Sequence, residues 1–513
     1  MEVKTVSEQS NGSGWRHAVV VGAGIGGLLA GRVLAECFAR VTILERDVSS
    51  QAPSGRKGVP QGRHLHSLAT RGGEILERYF PSLDTELADA GCPVLDQAWD
   101  TYTDTPAGRL PRFRSGIAMR AVSRSLLEER VRTRLEAEPG VRFLVGREVV
   151  GLVPNAAGGA VAGVRTRRRG PKDAEEVLAA DLVVDASGQG SRAPRWLEEL
   201  GYDAPEEEVV DARLGYATRW FRVPEDFSED WKGVAVLPGW PDDTRGGTLR
   251  RVEGDVWTAV LIGLGGDYPP TRGDAFLEFA RTLPSPVIYD AIKNAEPVSP
   301  VYGYRRTANR RRRYERARLP ENFLVTGDAA CSLNPSYGSG MTAAALSAEA
   351  LERCLYEQRL RFSEHDLAGL GRRFHKRQAA AVAPCWKVTT STDRQWAAAS
   401  VEELGLSGRL FHRVSEEVLA LAVEREDVAR TLLEVKNLLE PPSTLLRPGI
   451  LFPALCRTAL SPFTRRKKSR SPKPKAAQPT SRWIALSCGD TSPELCGPYL
   501  DTFVRVIQLC SFP

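Results

Sequence analysis

The chain lacks the groupings that build metal centres and disulfide scaffolds. Its nine cysteines, Cys37, Cys92, Cys331, Cys354, Cys385, Cys456, Cys488, Cys496 and Cys510, include no CxxC pair. Its six histidines offer no ligand spacing, and His64 with His66 alone makes no credible iron or zinc site, so no metal is expected. The opening MEVKTVSEQSNGSG has no apolar run of a secretory leader, so free thiols in a reducing, cytoplasmic setting are the expectation. No stretch reaches 18 apolar residues, which argues against a bilayer-spanning helix. Internal repeats are absent too.

Net charge is missing from the body of the chain. The formal charge is +6, but residues 461–513 carry all of it and residues 1–460 net zero. Ser461–Thr480 holds seven basic residues and no acid, and its prolines mark it as a basic flexible linker. Residues 481–513 form a tail whose structure the sequence does not assign. The body therefore gives no global argument for nucleic acid. The arginines at 305, 306, 310–313, 316 and 318 form a run, but without a nucleic-acid module or a stacking pattern. They read as a solvated face, domain-interface pairs or a steering field for a phosphate.

Two glycine-rich turns, about 300 residues apart, stand out against these absences. In the first, His17–Val21 reads as a strand, Leu28–Phe38 as a helix and Val41–Leu44 as a second strand, the opening of a parallel α/β unit. Between strand and helix lies Gly22-Ala23-Gly24-Ile25-Gly26-Gly27, a GxGxxG. Gly22 allows the tight turn, Gly24 lets the backbone approach a pyrophosphate, and Gly27 lets the helix pack on the sheet. The helix N-terminus offers free amides to phosphate. Glu45, at the end of the second strand, is placed to accept ribose hydroxyls. In the second turn, Gly327-Asp328 follows the strand Phe323–Thr326, and Gly338-Ser339-Gly340-Met341 opens a small-residue helix over Thr342–Ala350. Asp328 there can accept a ribityl hydroxyl, and the amides of 338–341 can face a pyrophosphate or an isoalloxazine edge.

Elsewhere a helix is expected over Ser123–Glu138 with Ser123 as cap, and strands at Val141–Val145, Ala160–Thr166 and Asp181–Asp185. Arg165–Asp173 reads as an exposed hairpin turn. Alternating runs at Gly233–Leu237, Gly247–Val252 and Val256–Ile262 resemble antiparallel strands of a second layer. Helices are expected at 364–382, 399–420 and 424–439, with an apolar stretch at Ile450–Leu460. Ile262-Gly263-Leu264-Gly265-Gly266 misses a second GxGxxG and reads as a strand end and turn.

VVVGAGIGGLLAG with ILERD, the middle segment DLVVDASGQGS (Asp181–Ser191) and LVTGDAACSLNPSYGSGM together resemble the fingerprints of single-component flavoprotein monooxygenases of the para-hydroxybenzoate hydroxylase class. GRKGVPQGRHLHSL (Gly55–Leu68) is similar to the branch of squalene-epoxidase-like and polyether-polyene epoxidases. The resemblance covers most of residues 17–460. It implies an α/β fold: a Rossmann-like FAD domain of glutathione-reductase type, an inserted antiparallel β-sheet substrate domain and a helical C-terminal region. The FAD domain would comprise 15–85, 111–200 and 319–385. The substrate domain would comprise an excursion at 86–110 and the sheet at 201–318, with the helical region at 386–460.

By the same resemblance Glu45 binds the adenosine ribose and Arg46 flanks the adenine. Arg124 reaches the pyrophosphate–ribityl region and Asp328 binds it, while Pro335 and Gly338–Met341 line the flavin ring. Arg63 and His64 sit on a loop beside the flavin, where a guanidinium can stabilise the reduced, anionic ring. Two positions depart from the pattern: the usual His is Cys331, expected as a packing thiol, and the usual Asp is Asn334. The implied reaction takes electrons from NAD(P)H, with NADPH favoured as a transient donor, and passes one oxygen atom of O2 to a lipophilic substrate through a C4a-hydroperoxyflavin. Trp220, Phe221, Trp231, Trp240, Trp257, Tyr268 and Tyr289 supply aromatic cover, each one more readily as sheet core than as cavity wall. With no residue marked as a base for a phenol, epoxidation of a polyketide or terpenoid alkene is the leading expectation. Aromatic hydroxylation, prenyl-alkene reduction and halogenation compete with it, although Asp255–Leu261 lacks the Trp-x-Trp-x-Ile-Pro of halogenases. A non-catalytic nucleic-acid or membrane binder using the basic segments is a further alternative, and a peripheral membrane contact through 450–475 stays open.

Overall fold

A computed structural model describes residues 15–48, 60–168, 174–361, 366–397 and 406–460. Its organising element is a five-stranded, all-parallel sheet in the order Phe323–Val325, Leu182–Asp185, Trp15–Val21, Phe38–Glu45, Val141–Val145. The central strands are apolar on both faces because helices cover one side and a three-stranded antiparallel sheet, running from residue 147 to 179, covers the other. Strand 323–325 enters this sheet from a distant part of the chain, so the first layer is discontinuous in sequence.

The first helix spans Ile25–Ala35, beginning and ending three residues before the expected Leu28–Phe38. The glycines at 26 and 27 mask its start in the sequence, and Phe38 instead opens the longer second strand. The helix Arg124–Glu136 starts where expected, and the Ser123 hydroxyl accepts the Leu126 amide at 3.3 Å. The Arg147–Pro154 strand was not legible, since its burial alternates only in part. Val161–Arg168 turns back into Glu176–Ala179, a strand the sequence reading did not place, while Leu182–Asp185 joins the parallel sheet instead of closing the expected hairpin; the strand continues through Arg165–Arg168, and residues 169–173 of the expected turn lie outside the described residues.

The second layer is a seven-stranded sheet running from Tyr302–Tyr304 through Gly215–Arg222, Val256–Gly263, Arg245–Val252 and Gly233–Val236 to Thr101–Thr105 and Gly108–Arg109. It is antiparallel except where Gly233–Val236 pairs in parallel with Thr101–Thr105, which corrects the purely antiparallel expectation. A crossover from a remote segment fills that edge, and sequence alternation cannot reveal strand direction. One face packs Phe221, Trp231, Trp257 and Leu249 against the helices Gly273–Arg281 and Val287–Ile292. The opposite face carries Tyr216, Thr218, Trp220, Thr258 and Arg250, and it meets the 63–67 segment: the Trp220 indole donates to the Arg63 carbonyl at 3.0 Å.

The helix Leu370–Ala397 runs straight through Pro384, so the boundary expected at 385 falls inside one continuous element. A proline there loses one helical hydrogen bond, but Val382, Cys385 and Trp386 pack the helix against Cys331 and Leu333 on both sides of it. Helices Leu406–Glu424, Glu426–Lys436 and Pro448–Leu460 complete the C-terminal region. Ile450 and Ala454 dock on Val418, Leu421 and Ala422, while Phe452 stays exposed. No helix among the described residues is long and apolar enough to cross a membrane. The linker at 461–480, the tail at 481–513 and most of the 450–475 contact segment lie outside the described residues.

Candidate functional site

A cavity of about 390 Å³ opens along the C-terminal ends of the parallel strands, and its wall draws on both glycine-rich turns. From the first come Gly22, Gly24, Ile25, Gly26, Glu45 and Arg46; from the second come Gly327, Asp328, Pro335, Gly338, Gly340 and Met341. Arg124 stands between them. Gly27 and Ser339 are set behind the wall: a Cβ on Gly27 would lie 1.9 Å from the Gly22 carbonyl oxygen, and the Ser339 carbonyl accepts the Ala343 amide.

The residues fit a dinucleotide. Gly22 has φ +100° and its Cβ position lies 2.7 Å from the Ala186 carbonyl, so only glycine permits this turn. At Gly24 and Gly340, by contrast, a Cβ would meet nothing within 4 Å, which leaves open cradles beside two helix N-termini. The 25–35 helix has no side-chain cap, so its first amides remain available to an anion. Glu45 is buried and held by the Ala23 and Asp47 amides at 3.2 and 2.9 Å. Asp328 accepts no hydrogen bond from any described residue. Burial raises its carboxyl above the usual range, against the pull of Arg124. A carboxylate enclosed without donors calls for hydroxyls from a ligand. Among the described residues no group of three or more His, Cys, Asp or Glu is placed to hold a metal.

The middle segment closes the wall with Ala186, Ser187, Gly188 and Gln189. Buried Asp185 braces it, accepting the Ser187 amide at 3.0 Å and the Ser191 hydroxyl at 2.5 Å. Burial raises this carboxyl above its ordinary range.

The side chains of Arg63 and His64 do not reach the wall; His66 and Ser67 stand there instead. The Arg63 guanidinium lies over the Tyr302 ring. His64 is buried, bonded to the Thr218 hydroxyl at 2.7 Å, and set edge-on against Tyr216 and Tyr304. Burial, with Arg63 adding to it, lowers its imidazole to about 4. A short 3-10 turn ends at Arg63, and the stretch after it brings the wall residues two to three positions further along. Tyr304 lines the cavity and links the His64 cluster to it.

Sequence reasoning also missed Asp393, on the long C-terminal helix. It accepts hydrogen bonds from Asn334 at 2.9 Å, Asn309 at 2.5 Å and Tyr337 at 2.6 Å. The carboxylate absent at 334 is thus supplied from behind, and it anchors the Pro335–Gly338 turn. Burial raises its carboxyl, and the three donors oppose that shift. Cys331 is buried against Cys385 and Trp386, and burial pushes its thiol up to about 12, so it packs and offers no thiolate. The arginine run is spent internally: Arg310 and Arg312 pair with Glu207, Arg313 with Glu208 and Arg316 with Glu206. Arg306 alone of that run lines the cavity. Phe221, Trp231 and Trp257 belong to the sheet–helix core, Tyr289 packs on it, and Trp240 stacks edge-on with His412.

Comparison with known proteins extends this geometry. A family model described as FAD binding domain matches residues 16–358. Protein Rv3254 of Mycobacterium tuberculosis is 33% identical over 404 residues, covering 76% of this chain and 82% of that protein. Kynurenine 3-monooxygenase of Salinispora tropica is 26% identical over 370 residues, covering 66% and 72%. Among solved structures, the flavin-dependent brominase Bmp2 superposes with a TM-score of 0.60 at 14% identity, over 86% of this chain and 98% of that one; this is a likeness of fold.

Proposed function

The chain belongs to the FAD-binding-domain family of flavin-dependent monooxygenases, and from that premise we propose that it uses NAD(P)H and O2 to oxygenate a lipophilic small molecule, with epoxidation of an alkene as the leading reading. The observation that carries the proposal is one cavity bounded at one end by Gly22–Gly26 and Glu45 and at the other by Asp328 and Pro335–Met341.

Bound there, FAD would supply the redox chemistry, taking a hydride from the nicotinamide and activating dioxygen. The chain's own residues bind and orient. The amides at the start of the 25–35 helix receive the pyrophosphate, Glu45 the adenosine ribose, and Asp328 the ribityl hydroxyls. Arg124 balances the phosphate charge. Backbone at Gly338–Gly340, held by Asn334 and Asp393, supports the ring. Tyr304, Tyr216 and His64 pack over the far side and keep water out. The Ile262–Gly266 segment is the end of a strand and a turn, with Gly265 at φ +65° and Gly266 at φ +97°. On this reading the nicotinamide donor docks transiently, without a Rossmann unit of its own. Oxygenation of an aromatic ring is the second reading, favoured by the likeness to a kynurenine monooxygenase.

The purified protein should be yellow, oxidise NADPH faster with its substrate, and place one atom of labelled O2 in the product. Panels of polyenes, terpenoids and phenolic polyketides, read by mass spectrometry, separate the epoxide from the phenol. A colourless protein that neither retains nor rebinds FAD overturns the proposal. Halide in the product, or a reduced alkene without oxygen, replaces monooxygenation with halogenation or alkene reduction.

A further inference from the structure

The backbone at residues 63 and 64 is clamped to the second sheet. The Trp220 indole donates to the Arg63 carbonyl at 3.0 Å, and the His64 ring is bonded to the Thr218 hydroxyl at 2.7 Å. Thr218 and Trp220 belong to the Gly215–Arg222 strand and, by its alternation, share one face. His64 is itself buried, with its ring edge-on to Tyr216 at 4.7 Å between centroids. A peptide held in this way has a fixed carbonyl, and that of His64 is used: His66 Nδ1 donates to it at 2.9 Å.

A carbonyl oxygen only accepts, so the bonded Nδ1 of His66 carries the proton. In a neutral imidazole the other nitrogen is then a bare acceptor. Burial, and after it the Arg124 charge, hold this ring well below its ordinary pKa, against the opposing pull of the carbonyl bond, so it stays neutral. Nε2 meets no partner among the described residues, and the half-buried His66 lines the cavity together with Arg124. Asp328, on the same wall, is likewise an acceptor without a donor. Whatever fills this end of the cavity must therefore bring hydrogen-bond donors. A pyrophosphate brings acceptors alone, whereas the flavin half of FAD brings ribityl hydroxyls and the ring N3–H.

We propose that His66 Nε2 accepts a hydrogen bond from the flavin half of FAD, from N3–H or a ribityl hydroxyl, with His64 as the positioning residue that sets it there. The second sheet thereby orients the flavin of a cofactor whose phosphates the first sheet holds. The inference rests on the flavoenzyme reading for the identity of the ligand.

Fluorescence titration of the FAD-stripped full chain with FAD, paired with calorimetric titration of ADP, tests it. ADP carries the adenosine and pyrophosphate without the flavin. His66→Phe keeps a ring and removes the acceptor, so FAD affinity should fall about tenfold, with ADP affinity and the melting temperature of the ligand-free chain unchanged. His66→Gln returns an acceptor at similar reach and should recover most of the loss. 3-Methyl-FAD separates the two donors. Its penalty relative to FAD should vanish in His66→Phe if N3–H is the partner and persist if a ribityl hydroxyl is, and either result beside the loss of FAD affinity supports the contact. Unchanged FAD affinity in His66→Phe overturns the inference. An equal loss for FAD and ADP also overturns it, because His66 would then act on the fold alone. Thr218→Val serves if His66→Phe does not fold: it releases the His64 ring and should weaken FAD several-fold while sparing ADP, and unchanged FAD affinity there overturns the inference too. A chain that binds ADP and never FAD sinks the flavoenzyme reading, and the inference with it.

Discussion

Asp393 shows how a single residue can restore what a departure at another removes. Asn334 replaces an acid, yet a carboxylate sits 2.9 Å behind it, contributed from 59 residues further along the chain. Asp393→Ala would leave the donors of Asn309, Asn334 and Tyr337 without their acceptor. Each unmet buried donor costs about 1–3 kcal/mol, so the variant should lose roughly 3 kcal/mol of stability in denaturant unfolding. Its affinity for FAD should also fall several-fold, because the turn at 335–338 loses its anchor. Asp393→Asn keeps the shape and one acceptor oxygen, and should recover part of both losses. Unchanged FAD affinity in Asp393→Ala would show that the turn holds without it. None of this was legible in sequence, because a hydrogen bond between remote residues leaves no periodic or local trace.

At the scale of the element, the strand–turn–helix of residues 15–35 makes two glycines of one motif behave in opposite ways. Gly27 is structural: an added Cβ would overlap the Gly22 carbonyl, so Gly27→Ala should lower the melting temperature and expression of the whole chain. Gly24 faces open space, so Gly24→Ala should fold normally and fail only with the ligand, with FAD affinity down at least tenfold by fluorescence titration. Parallel loss of fold in both variants would refute the distinction. The 63–67 segment yields a prediction of a different kind. His64 is held neutral between a strand and two tyrosines, with its imidazole lowered to about 4 from an ordinary 6.5. The unfolded chain takes up that proton first as pH falls, so His64 contributes stability that is whole above pH 6.5 and is lost progressively toward pH 4. At about 1.4 kcal/mol per pKa unit, the full loss is about 3 kcal/mol. The melting temperature of His64→Gln should therefore fall less steeply than wild type between pH 7 and pH 4.5. Parallel slopes would mean that His64 protonates freely in the fold.

For the whole molecule, the cavity wall gathers residues from 21 to 344, spread over three stretches of chain and four sheets. Only the folded state brings them together, so FAD binds that state alone and must raise the melting temperature as its concentration rises. Free FAD at 100 times its dissociation constant should add about 2.7 kcal/mol, and Glu45→Ala should reduce the shift by weakening the ribose contact. A melting temperature indifferent to added FAD in the ligand-free protein would contradict a site assembled by folding. The sequence by itself determined the parallel unit, both glycine turns, Glu45 and Asp328, because each depends on backbone geometry or a register set within a few dozen residues. Tertiary structure alone decided that His66 and Ser67, rather than Arg63 and His64, face the cavity, and that Thr101–Thr105 joins the second sheet in parallel. It also placed Asp393 behind Asn334. These facts turn on which distant segments pack together, and packing between segments is set by the shape and charge of the whole fold.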